Sequence, residues 1–111
     1  VLRQLKIKTG AVKRLVKERE VDLREVDEQR VRIEQMHGKE GVDDADIRKQ
    51  NEVLEEALRM IPYTERRIRT AVQDLDGLVQ ATKEDGRAAK ELDDADAAIS
   101  AARRVVPTAT D

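Results

Sequence analysis

Seven lysines and arginines fall within the first 19 residues (Arg3, Lys6, Lys8, Lys13, Arg14, Lys17 and Arg19), against one acid, Glu18. Apolar side chains run among them at helical spacing, at Leu2, Leu5, Val12 and Val16, so the segment reads as a basic helix with a thin apolar seam. If that seam faces inward, the opposite side carries Arg3, Ile7, Gly10, Arg14, Lys17, Val21 and Arg24. The chemistry open to such a strip is docking. Cations steer and hold an acidic partner, Ile7 and Val21 add apolar contact, and Gly10 admits a close approach. Glycine inside a helix costs about 1 kcal/mol against alanine, so Gly10 needs a reason. A structural reading competes: the charges pair along the helix with Glu18, Glu20 and Glu28, and Gly10 serves close packing of another helix. A second cluster joins Tyr63, the only aromatic residue, to Arg66, Arg67 and Arg69. Tyrosine with arginine is the composition of an interface hot spot; the competing reading pairs Arg66 and Arg67 with Glu65 and Asp74.

Catalytic chemistry finds no footing. Ser100 is the only serine, His37 the only histidine, and cysteine is absent. Neither a nucleophile–base pair nor a histidine-rich metal site can be built easily. His37 reads as a C-terminal helix residue favoured by the dipole. Asp43, Asp44 and Asp46 hint at a calcium loop, but the sixth position of that frame is Arg48 rather than glycine, and they read as helix caps. The expectation is a protein that is not an enzyme and takes no cofactor.

Charged residues make up 41% of the 111, yet 22 basic against 24 acidic leave a net charge of −2. Balanced charge at this density marks solvated helices; nucleic-acid binders carry a basic excess and aromatic stacking platforms. No apolar run approaches the roughly 20 residues of a membrane span, and no signal-peptide core opens the chain. The expectation is a soluble intracellular protein without nucleic-acid or membrane partners. The chain begins with Val1, from which a short preceding piece is expected.

Three helices must carry these clusters. The first spans 2–37, with a seam at positions 2, 5, 9, 12, 16, 19, 23, 26, 30, 33 and 37, seven of the eleven apolar. Gly38 and Gly41 break it. The second spans 44–84, with Ile47, Leu54, Ile61, Ile68 and Leu75 seven apart and Leu58, Val72 and Val79 at the intervening four-residue steps. Pro62 interrupts this pattern, but Ile61 cannot cap a new helix and the seam stays in phase, so the spacing predicts one continuous helix kinked at Pro62. Asp85 and Gly86 mark a turn. A third helix spans 88–105, with a seam half alanine: Ala88, Leu92, Ala95, Ile99, Ala102 and Val106. Residues 107–111 read as a flexible tail. The fold expected is all-α, one domain over 1–111: an elongated antiparallel three-helix bundle, spectrin-like. The short third helix should cover early helix 1 and the wide stripe of late helix 2 (Ile68, Ala71, Val72, Leu75, Leu78 and Val79), leaving a two-helix tip near Gly38 to Gly41.

Two stretches, RQLKIKTGAVKRLVKE at 3–18 and DIRKQNEVLEEALRMIPYTERRI at 46–68, resemble the tubulin-binding cofactor A family in order and separation. The resemblance covers residues 3 to about 80. It implies a chaperone that captures quasi-native β-tubulin after chaperonin release without nucleotide. It further implies hand-off to other tubulin folding cofactors, a cytoplasmic location and association with the microtubule cytoskeleton. The third helix departs from the family in carrying alanines where larger aliphatics are expected. The resemblance also implies a monomer or weak homodimer. The rival reading is a structural coiled-coil or adaptor protein that self-associates through its uncovered two-helix tip.

Overall fold

The computed structural model describes residues 1–107; the expected flexible tail lies, from residue 108 on, outside the described residues. These form three α-helices, α1 (Leu2–His37), α2 (Asp44–Thr82) and α3 (Ala89–Val105), with a 3₁₀ turn at Gly86–Ala88 before the last. The all-α three-helix prediction holds. No helix among the described residues is long and apolar enough to cross a membrane.

Helix ends follow local chemistry. The last turn of α1 tightens as the Gly38 amide donates to the Gln35 carbonyl and the Lys39 amide to Met36. Gly41, at φ +81°, then takes a left-handed conformation that costs other residues dearly. Asp43 starts α2: its carboxylate accepts from the Ala45 amide at 3.1 Å, satisfying a donor with no partner inside the helix. At the far end, the Thr82 hydroxyl donates to the Leu78 carbonyl at 2.8 Å. Such back-bonding competes with helix continuation, and α2 stops at Thr82, short of the Glu84 that the apolar pattern indicates. Asp85 then caps the 3₁₀ turn by accepting from the Arg87 amide at 3.0 Å.

Pro62 lies within α2. Its missing amide leaves the Leu58 carbonyl without a helical donor, yet the helix continues through it, because the apolar positions on both sides stay in phase.

The chain divides into two compact units, one of residues 1–17 with 65–111, the other of residues 18–64. The first unit holds parts of all three helices around one core: Leu5, Val12 and Leu15 from α1, Ile68, Val72, Leu75 and Val79 from α2, and Ala95, Ala98, Ile99 and Ala102 from α3, closed by Ala88 and Val106. Ala71, Leu78 and Leu92 pack against it half-buried, so the wide stripe of late α2 is as predicted. Leu5, Ile68 and Leu75 are fully buried, each contributing about 1.5–3 kcal/mol.

The second unit contains only α1, α2 and their connection. Val26 and Ile33 are its buried apolar residues, joined by Gln29 and Thr64. The Thr64 hydroxyl donates to the Asp22 carboxylate at 2.7 Å. The Gln29 amide donates to both the backbone carbonyl and the side-chain oxygen of Gln50, at 2.9 Å each. As the α1 position advances from 22 to 29, its α2 partner retreats from 64 to 50, which defines an antiparallel pair.

The seam of this unit departs from the prediction. Arg19 is half-buried, but Leu23, Arg30 and His37 are exposed; Asp22, Gln29 and Met36 turn inward instead, and on α2 Gln50, Ala57 and Thr64 do so rather than Leu58. A missing neighbour explains the difference. In the first unit the seam residue Thr9 is buried and lines a groove against Glu91 and Asp94 of α3; the second unit contains no part of α3. With only two helices in this unit, Leu23 and Leu58 are each 37% exposed.

Candidate functional site

Every residue of the predicted α1 strip is on the surface. In the first unit Arg3, Gly10, Arg14 and Lys17 are exposed, and Ile7 is 60% exposed. Val21 and Arg24, also exposed, fall in the second unit. Within the first unit, three- and four-residue steps hold Arg3, Ile7, Gly10, Arg14 and Lys17 on one side of α1.

The competing electrostatic reading does not describe these cations. Lys8 does pair with Asp74. Arg3, Arg14, Lys17 and Arg24, however, make no ion pair or side-chain hydrogen bond among the described residues. Their charge is available to a partner. The packing explanation of Gly10 also fails: a Cβ there would meet nothing within 4 Å, so α3 does not press on it. What remains in the first unit is a run of uncompensated cations around an exposed isoleucine and an open glycine.

The second cluster divides between the units. Tyr63, 46% exposed, lies in the second, while Arg66 and Arg67, both exposed, lie in the first. Asp74, offered as a partner by the sequence, pairs with Lys8, and Glu65 and Arg67 each make internal interactions of their own. Arg69 is half-buried and leaves its buried Nε without a partner.

Two features escaped the sequence pattern. One is the polar seam of the second unit, Asp22–Thr64 and Gln29–Gln50; keeping the three-residue step after Arg19 would have revealed it, but at the cost of placing Asp and Gln inward. The other is the apolar exposure of that unit, where Val31 is 51% and Val53 46% exposed and Met60 37%. Its sign is a helix pair richer in aliphatic residues than one contact face can bury.

Known proteins supply an independent finding. The family model described as tubulin binding cofactor A matches residues 1–99. The chain is 47% identical over 83 residues to the tubulin-specific chaperone A of Gallus gallus, covering 75% of this chain and 76% of that one. Among solved structures it is similar to tubulin folding cofactor A from Arabidopsis thaliana, at 31% identity and TM-score 0.79 over 93% of this chain and 95% of that one. It is also similar to RBL2P, a β-tubulin binding post-chaperonin cofactor, at 30% identity and TM-score 0.75 over 95% and 99% of the two chains.

Proposed function

The chain belongs to the tubulin binding cofactor A family, and from that membership we propose that it binds β-tubulin as a folding chaperone. It captures the quasi-native subunit after chaperonin release, holds it without nucleotide or catalysis, and passes it to other tubulin folding cofactors in the cytoplasm. The cofactor RBL2P, named for binding β-tubulin, supports the choice of client. The observation that carries the proposed surface is the uncompensated charge of Arg3, Arg14 and Lys17 beside Ile7 and Gly10. Val21, Arg24, Tyr63, Arg66 and Arg67 are proposed as further contacts. Arg3, Arg14 and Lys17, left unpaired in the free protein, need no internal pair broken before they meet an acidic client.

The test is Arg14→Glu combined with Lys17→Glu, which reverses two exposed positions and touches no core residue. Exposed charges contribute little to stability, so melting should match the parent. Affinity for β-tubulin should fall at least about tenfold, or 1.4 kcal/mol, with a shallower salt dependence. Unchanged affinity and salt slope would place the interface elsewhere. A second reading, self-association, is favoured by the exposed Leu23, Val31, Val53 and Leu58 of the second unit. Sedimentation over a concentration range separates it from a monomer or weak homodimer.

A further inference from the structure

In the first unit, between α1 and α3, lies a groove of about 250 Å³ lined by Lys6, Thr9, Gly10 and Lys13 on one wall and Glu91 and Asp94 on the other. Four charges of two signs face this space, yet none makes an ion pair or side-chain hydrogen bond among the described residues. Among the lining residues Thr9 is 6% exposed, and its hydroxyl is buried without a hydrogen-bond partner. Buried hydroxyls are almost always paired. Beside it Gly10 leaves open the space a side chain would occupy.

The chemistry of the walls restricts the occupant. A simple anion would meet Lys6, Lys13 and the Thr9 hydroxyl but be repelled by Glu91 and Asp94; a simple cation meets the reverse problem. A group carrying both signs satisfies both walls. The volume falls below the roughly 300–1,000 Å³ of small-molecule pockets, and suits a pair of side chains presented by a polypeptide. We infer that the α1–α3 groove docks a neighbouring acid and base on a partner polypeptide: the carboxylate accepts from Lys6, Lys13 and the Thr9 hydroxyl, and the lysine or arginine donates to Glu91 and Asp94. That the occupant is a polypeptide rests on the binding role proposed above. The groove shares Gly10 with the Arg3–Arg14–Lys17 strip but has a different selectivity, for paired charge rather than for acid.

The experiment titrates the isotopically labelled full chain with three alanine-based helical peptides and follows backbone amide shifts. One peptide carries Glu and Lys four residues apart, one Glu alone, one Lys alone. The mixed peptide should shift Thr9, Gly10, Glu91 and Asp94 and bind at least about fivefold more tightly than either single-charge peptide. Thr9→Val should leave the melting temperature unchanged or higher, since it removes an unpartnered hydroxyl, while weakening the mixed peptide by about fivefold. Lys13→Gln, at an exposed position, should erase the preference for the mixed peptide over the Lys-only one. Absence of shifts at these amides up to about 10 mM peptide, a single-charge peptide that binds as tightly as the mixed one, or a Thr9→Val protein that binds like the parent would each overturn the inference. Because no tubulin is used, such a failure is distinguishable from failure of the tubulin-binding proposal.

Discussion

Gly41 adopts φ +81° in the turn between α1 and α2, whereas Gly77 lies inside α2 with nothing within 4 Å of where a Cβ would stand. The same substitution should therefore act in opposite directions. Gly41→Ala forces an L side chain into the left-handed region and should cost about 1–2 kcal/mol. Gly77→Ala meets no obstacle and gains helix propensity, and should stabilise by about 1 kcal/mol. Urea denaturation of the two variants reads both signs; a shared sign would contradict one of the two local conformations. Asp85 offers a pH test at the same scale. Its hydrogen bonds from the Arg87 side chain and amide hold its carboxyl below the usual aspartate value. A lowered folded-state pKa contributes stability that is present above the unfolded value and is lost as pH falls through the folded one. The Tm of the parent should thus exceed that of Asp85→Asn at pH 6, and the gap should close below about pH 4. A gap that persists at pH 2 would mean that the carboxylate charge does not contribute.

The helices were legible in the sequence because two signals agreed, apolar period and end chemistry, with Gly38, Gly41 and Asp43 marking one turn and Asp85 and Gly86 the other. Their neighbours were less legible. A strict alternation of three and four carried the α1 seam to Leu23, Arg30 and His37, and these are exposed. Periodicity records how many apolar residues a helix has, but not how many helices are there to cover them. The polar pairs that replace those positions were hidden for a related reason: glutamine and aspartate do not announce burial unless their partners are known. Of the candidate site, exposure was readable from spacing, whereas the lack of internal partners for Arg14 and Lys17 needed the fold. At this scale the Gln29–Gln50 pair makes a clear prediction. Gln29→Leu alone should destabilise by about 1 kcal/mol, since Gln50 loses its donor. Adding Gln50→Leu should recover that loss or exceed it, because apolar replacement of both partners can be neutral or stabilising. A double-mutant cycle measures the coupling; additive effects would show that the two glutamines do not act as a pair.

For the whole molecule, the uneven distribution of buried apolar residues sets where stability resides. The first unit centres on a core drawn from all three helices, while the second buries only Val26 and Ile33 among its apolar residues and places Asp22, Gln29, Gln50 and Thr64 in the same seam. Hydrogen bonds of this kind contribute about 0.5–1.5 kcal/mol net each, less than a buried Leu or Ile at about 1.5–3. Charged and polar residues on the outer faces add little in either unit. The second unit should consequently open first. Native-state hydrogen exchange should give amides of α2 between Gln50 and Ile61 an opening free energy at least about 2 kcal/mol below that of amides at Val12, Ile68, Leu75 and Ile99. Local opening would expose Leu54 and Ile61, half-buried in the folded unit, beside the already exposed Val53 and Met60. A holding protein with one firm unit and one that opens readily could adapt its apolar surface to a client without losing its own fold. Adding stoichiometric β-tubulin tests that step: slowed exchange confined to residues 18–64 would mean that the client is held by the opening unit. Slowing confined to residues 2–17, with unchanged exchange in the second unit, would assign the client to the Arg3–Lys17 part of the α1 strip alone.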